Sequence, residues 1–154
     1  MPGLVPLAAN YTHKKEAYLR VAGYGATKAQ IINNTAVSSD PAMDLMQTYL
    51  QAEGQNDCPI LTGPNAIVSN VSKICMFNND SSILHGDSGG PSLAKGKDGQ
   101  WYQVGINTNI LPIAEWNLIV GLAEDVSFYC PWIEKATKNE VKCQTFEPVD
   151  IIPE

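Results

Sequence analysis

The sequence predicts an all-β fold, a barrel or a sandwich, closed by one C-terminal helix. Short segments rich in β-branched and aromatic residues recur along the chain, with Gly, Pro and Asn clusters between them. Apolar residues make up 44% of the 154, enough to fill one core of ordinary domain size. That share excludes a disordered or collagen-like chain.

Each element has its own signal. Ala17 to Gly25 mixes aliphatic and aromatic residues and ends in glycines, so it reads as a strand entering a turn. Residues 26–42 are polar, with Asn33-Asn34 and Asp40-Pro41, and read as a loop. Asp44 to Ala52 is ambiguous: Met43, Met46 and Leu50 fit a helical stripe, while Met46, Thr48, Leu50 and Ala52 fit a strand. Residues 53–65 carry Gly54, Pro59, Gly63 and Pro64, the marks of a loop. Val71 to Phe77 is a short strand. Lys97-Asp98-Gly99 turns the chain into an alternating strand from Trp101 to Thr108, and Asn117 to Val126 forms another. Ser127 would cap a terminal helix, with Pro131 tolerated in its first turn and Trp132 and Ile133 turned inward. The tail from Gln144 to Glu154 is acidic, carries two prolines and reads as loose.

Charge narrows the partners. The net charge is −6 and no basic run exceeds Lys14-Lys15, so a nucleic-acid interface is not expected. Met1 to Leu7 has no basic n-region and two prolines, unlike a signal peptide. Glu115, Glu124 and Asp125 interrupt the longest apolar stretch, so no membrane span is expected. The cysteines Cys58, Cys75, Cys130 and Cys143 form an even set that allows two disulfides in three connectivities. They contain no Cys-x-x-Cys pair and no neighbouring histidine, so neither a metal site nor a cofactor is expected. Asn-x-Ser/Thr acceptors occur at Asn10, Asn33, Asn70 and Asn79, where composition alone gives roughly one. Together these features suggest an extracellular, glycosylated protein.

One segment carries chemistry: His85-Gly86-Asp87-Ser88-Gly89-Gly90-Pro91. Its glycines let the backbone take positive φ and approach a ligand closely. Such a turn can aim the Gly86 and Ser88 N–H groups at one point, the geometry of an oxyanion hole. A glycine turn without chemistry and a nucleophile elbow are the competing readings. The elbow fails, because it needs a helix directly after the serine and a later histidine. Gly89-Gly90-Pro91 forbids that helix, and the two histidines, His13 and His85, both precede Ser88.

Gly86 to Pro91 resembles, letter for letter, the nucleophile motif of the trypsin/chymotrypsin-like serine peptidases. Val21-Ala22-Gly23-Tyr24-Gly25 is similar to that family's Val-x-Gly-Trp-Gly strand. Trp101 to Ile106 resembles the strand after the serine, and Gly121 to Val126 with Trp132-Ile133 resembles the last strand and terminal helix. The resemblance implies an antiparallel Greek-key six-stranded barrel with a C-terminal helix, the second barrel of a double-barrel fold. It divides the chain into an inter-barrel connection at 1–14, the barrel at 15–137 and a tail at 138–154. It makes Ser88 the nucleophile and the Gly86 N–H an oxyanion donor. Asp87 would receive the new N-terminal ammonium after zymogen cleavage, an ion pair that orders the oxyanion hole.

The resemblance also sets expectations where the chain departs from the pattern. Segments that carry the family's triad His and Asp are absent, so the chain reads as the C-terminal half of a peptidase and as inactive alone. His13 reads as a loop residue, and His85 sits where the family varies freely. Protein or peptide substrates, a missing N-terminal barrel and peptidase inhibitors are the expected partners. The alternative is an inactive homologue that serves as a binding or regulatory module. Ser82 falls at the base of the specificity pocket, and Thr108-Asn109-Ile110 forms its wall near Gly121. Ile110 in place of glycine would narrow the entrance and favour small apolar side chains. Cys58 and Cys75 lie where the family has a loop disulfide. Spacing then pairs Cys58–Cys75 and Cys130–Cys143, each worth about 3 kcal/mol in the chain-entropy model.

Overall fold

A computed structural model describes residues 3–54 and 72–153. Six antiparallel strands close a barrel. In spatial order they are β1 (Tyr18–Gly23), β4 (Met46–Ala52), β5 (Lys73–Phe77), β8 (Leu118–Asp125), β7 (Trp101–Ile113) and β6 (Pro91–Gly96). Arg20↔Leu93 and Val21↔Ser92 pair β6 back onto β1 and complete the closure. The expected six-stranded barrel with a C-terminal helix is therefore present. Closure removes the free edges that an open sheet would expose.

Alternation along the strands builds the interior. In β1, Leu19 and Val21 point inward, and Leu50 and Ala52 of β4 meet them. Ile74, Met76, Ala94, Tyr102, Val104 and Ala123 complete the same buried cluster. A second, smaller cluster of Cys75, Val120 and Leu122 lies on the opposite face of β5 and β8. β5 is thus apolar on both faces, which explains its unbroken run Ile74-Cys75-Met76.

Several elements differ from the sequence expectation. The ambiguous segment is strand: β4 pairs along its length with β1, from Gln47↔Ala22 to Gln51↔Tyr18, and Met43 is 95% exposed. The stretch 26–42 is not all loop, because β2 (Ala29–Ile32) and β3 (Thr35–Ser38) form a hairpin. Asn33 and Asn34 both take positive φ, 49° and 61°, the conformation a two-residue hairpin turn needs. β6 begins at Pro91, which proline tolerates as the first residue of a strand. β7 runs on to Ile113, past the expected end at Thr108.

The helix α1 spans Val126–Ala136, and its N-cap is Asp125, not Ser127. The Asp125 carboxylate accepts from Ser127 N at 3.0 Å. The Ser127 hydroxyl instead joins the chain start to the helix, accepting from Tyr11 N and donating to Ala8 O. Pro131 consequently falls inside the helix and not in its first turn. Trp132 is 68% exposed, so it does not turn inward, whereas Val126 and Cys130 do.

The tail is held, not loose. Gln144 exchanges main-chain hydrogen bonds with Leu7 and Ala9, and Phe146 stacks between Tyr102 and Tyr11. β9 (Pro148–Val149) then pairs with the end of β6. The Cys130–Cys143 disulfide forms, tying α1 to this tail. Cys58 and Asn70 lie outside the described residues. No helix among the described residues is long and apolar enough to cross a membrane.

Candidate active site

The segment between β5 and β6 folds into two successive tight turns. Asp87 N donates to Leu84 O at 3.0 Å, and Gly90 N donates to Asp87 O at 3.0 Å. Gly86 (φ +99°) and Gly89 (φ +85°) supply the positive φ that lets the chain reverse on either side of Ser88. Ser88 is left exposed at the tip. Among the described residues, nothing accepts from the N–H of Gly86 or of Ser88. These two N–H groups are thus without an acceptor among the described residues.

Two anchors hold this loop. The first is Asp87, whose Oδ1 accepts from Gly25 N and whose Oδ2 accepts from Leu84 N, each at 2.9 Å. The carboxylate fits because β1 ends in glycines: a Cβ at Gly23 would stand 2.1 Å from Asp87 Oδ1, and one at Gly25 would stand 2.5 Å from Cγ. The Gly23-Tyr24-Gly25 segment is thus shaped by the side chain it receives.

The second anchor is Asn107 on β7. Its carbonyl accepts from Gly89 N at 2.7 Å and its N–H donates to Gly90 O at 2.9 Å. Its side-chain oxygen accepts from the Ser92 hydroxyl at 2.6 Å, and both residues are buried. The pairing of β7 with β8 slips between Asn107 and Asn109, leaving Thr108 as an extra residue. Such bulges re-aim the backbone. Here the bulged Thr108 carbonyl accepts from Ser88 Oγ at 3.0 Å.

Neither histidine ring bonds to Ser88. His85 Nδ1 pairs with Ser38 Oγ of the β2–β3 hairpin at 2.6 Å. His13 is a buried loop residue whose Nε2 pairs with Glu53 O at 2.7 Å. Below the start of α1, burial pushes the Asp125 carboxyl above its ordinary range, opposed by the Ser127 N–H and by His13. Burial, then the Asp125 charge, pushes the Tyr11 phenol up as well.

Of the expected pocket residues, Ser82 lines a cleft that Thr108, Asn109, Ile110 and Gly121 do not line. Thr108, Asn109 and Ile110 follow one another on β7, and Ile110 pairs across to Gly121 on β8. Ser82 is tied to β8: its hydroxyl donates to Ile119 O at 3.4 Å, and it lines a cleft of about 550 Å³. That cleft runs beneath the β2–β3 hairpin and has Gly25, Lys28, Gln47, Leu84 and Asp87 in its wall, but not Ser88. Ile83, which the sequence reading did not single out, lines the same cleft, is buried and lies against Gly121 of β8. Its position directly after a polar run, Asn78 to Ser82, was the signal available. Asn107 was also overlooked, although it is a polar residue in a strand whose Tyr102 and Val104 are buried.

Of the sequons, Asn10, Asn33 and Asn79 are exposed. Among the described residues, no group of three or more His, Cys, Asp or Glu is arranged to hold a metal ion.

Comparison with known proteins agrees with this geometry. The family model described as Trypsin matches residues 4–133. The CLIP domain-containing serine protease B14 of Anopheles gambiae is 28% identical over 116 residues, covering 74% of this chain and 29% of that protein. The chain thus spans less than a third of the length of that relative. Since the family match takes in both the barrel strands and the Ser88 turn, the chain belongs to the trypsin-like serine peptidases.

Proposed function

We propose that this chain supplies the nucleophile and the oxyanion-binding turn of a secreted serine endopeptidase. The observation that carries the reading is Ser88, exposed on a turn anchored by Asp87 and Asn107, with the Gly86 and Ser88 N–H groups free. Ser88 Oγ attacks the carbonyl carbon of a peptide bond, and its proton passes to a histidine base. The oxyanion that forms is received by the two free N–H groups. Collapse of the tetrahedral intermediate releases the amine, which takes the proton, and leaves an acyl-serine that water hydrolyses.

The base is neither His13 nor His85 on this reading, since their rings are engaged with Glu53 O and Ser38. It comes, with its carboxylate partner, from an N-terminal barrel that packs beside Ser88. An unassisted serine hydroxyl is a weak nucleophile. The barrel at 15–137 alone therefore has little hydrolytic activity.

Asp87 keeps lone pairs beyond those taken by Gly25 and Leu84, and it faces the 550 Å³ cleft. That cleft is the route by which a newly cleaved N-terminal ammonium would reach the carboxylate. Asn10, Asn33 and Asn79, all exposed, carry glycans in the secreted product.

A second reading, an inactive homologue that binds and regulates, is favoured by the absence of any histidine contact to Ser88. One experiment separates the two. The full-length product containing this chain, after any activation cleavage, is treated with an alkyl fluorophosphonate, and intact mass and peptide mapping locate the adduct. A Ser88 adduct that Ser88→Ala abolishes supports the peptidase. An unreactive Ser88 in the folded protein supports the inactive homologue.

A further inference from the structure

Away from the Ser88 turn, the outer face of the barrel carries two cations that share one aromatic ring. Arg20 of β1 stands between the inward-facing Leu19 and Val21, and Lys95 of β6 follows the inward-facing Ala94, so both point outward. Trp101 of β7 is the register partner of Lys95. The Arg20 guanidinium carbon is 5.1 Å from the Trp101 ring centroid, and Lys95 Nζ is 5.2 Å from it. Attraction to the ring fixes two otherwise mobile side chains and keeps their charges together. Among the described residues neither cation forms an ion pair, although the chain has 16 acids against 10 bases. Acids of the adjoining β6–β7 turn and tail are engaged elsewhere: Asp98 by Tyr102 and Gln100 N, and Glu147 by Lys97. Like charges held together without a counter-charge repel, and an anion from outside removes that cost.

We propose that Arg20, Lys95 and Trp101 form a docking surface for a sulfated polysaccharide. The Arg20 fork suits a sulfate group, and Lys95 supplies a second point charge. One exposed ion pair is worth little, so useful affinity needs anions repeated along a polymer that engages both cations. An acidic peptide fits less well: β6 is paired on both sides, by β1 and β7, and offers no edge to a peptide main chain. A nucleic acid would stack bases on an aromatic face, and the Trp101 ring is already engaged by the two cations. A bilayer surface needs an apolar anchor beside the charges, and the neighbouring Leu93 is half-buried. Lys95 is four residues beyond Pro91, where the Ser88 turn ends, which places it roughly 13 Å along β6. The inference therefore goes beyond the peptidase reading and does not depend on it.

The test passes the full-length product containing this chain over immobilised heparin, fully desulfated heparin and vesicles of phosphatidylserine and phosphatidylcholine, with binding read by surface plasmon resonance. The expected result is binding to heparin that weakens as salt rises, with little binding to the other two. The double variant Arg20→Gln and Lys95→Gln, whose changes face outward, should weaken heparin binding about 10-fold. Lys28→Gln with Lys138→Gln removes the same charge elsewhere and should weaken it less than about 2-fold. Thermal melts followed by circular dichroism check that both variants are folded. Absence of heparin binding, equal binding to the desulfated polymer, stronger binding to the vesicles, no loss in the Arg20 and Lys95 variant, or an equal loss in the control variant would each overturn the inference. Fluorophosphonate labelling of Ser88 is a separate readout, so an unreactive Ser88 leaves this surface standing.

Discussion

The Ser92 hydroxyl donates to Asn107 Oδ1 at 2.6 Å, and the two residues are 0% and 1% exposed directly beneath the Ser88 turn. A polar pair in an apolar barrel is costly unless satisfied, and this one is: Asn107 Nδ2 also reaches Pro91 O at 3.4 Å. Breaking one side leaves a buried acceptor without its donor. Ser92→Ala should therefore destabilise the protein by about 1–3 kcal/mol, read by chemical denaturation. Asn107→Leu should cost a similar amount. The double variant should lose clearly less than the two combined, because it removes both halves of the pair. Strict additivity would show that the hydrogen bond contributes nothing.

Asp87 depends on the absence of two side chains. A Cβ at Gly25 would come within 2.6 Å of Asp87 Oδ1. Gly25→Ala should therefore expel the carboxylate from its seat and release the Gly25 and Leu84 amides. Asp87→Asn is gentler: the side-chain amide can accept from one of these N–H groups but presents its own N–H to the other. It should cost about 1.5–3 kcal/mol, since it removes charge-assisted bonds. Both variants should also slow fluorophosphonate labelling of Ser88, even at temperatures where circular dichroism shows the barrel intact. Unchanged labelling in Gly25→Ala would separate the Asp87 anchor from the geometry of the Ser88 turn.

The legible parts of this protein were those written in local sequence. Gly86 to Pro91 announces a turn with a nucleophile because positive φ and close approach restrict the residues that can stand there. Alternation in β1 and β7 exposed the strands. The β2–β3 hairpin was hidden because Asn33-Asn34 is a turn signal that also suits a loop, and its strands bury little: Ile32 and Val37 are about half exposed. The tail was misread for a different reason. Its order comes from residues far away in sequence, namely Leu7, Tyr102 and the end of β6. Ser82 shows the same limit: its hydroxyl donates to Ile119 O of β8, a partner 37 residues away that no spacing rule contains.

One buried and one partly buried acid make stability pH-dependent with the same sign. Burial holds the Asp125 carboxyl above its unfolded value, so the folded state keeps its proton where the unfolded state has lost it. Stability from this group is full below the unfolded value near 3.9 and falls as pH rises through the folded value. His13 and the Ser127 N–H limit the shift but do not reverse it. Asp125→Asn keeps an acceptor for the helix cap and should abolish this acid-range decline in a series of melts. Tyr11 repeats the pattern at alkaline pH: its stability contribution falls above the ordinary tyrosine value near 10, and Tyr11→Phe should flatten that limb. A rise in stability with pH through the Asp125 interval, lost in the Asn variant, would reverse the assigned direction.

The Cys130–Cys143 disulfide should matter more to the chain ends than to the barrel. It closes a short loop, a separation of 13 residues, so the chain-entropy model gives about 3 kcal/mol. The tail it fixes holds Leu7 and Ala9 through Gln144, and Tyr11 through Phe146. A double Cys130→Ser and Cys143→Ser variant should therefore melt at a lower temperature and become open to limited proteolysis first in residues 137–153. Hydrogen exchange should speed up next at Ala8 and Ala9, whose N–H groups bond to Gln103 and Gln144. Amides of β5 and β8 should be protected as before, because their partners lie wholly within the barrel. Equal acceleration of exchange in β5 and in Ala8–Ala9 would instead make the disulfide a staple of the whole fold.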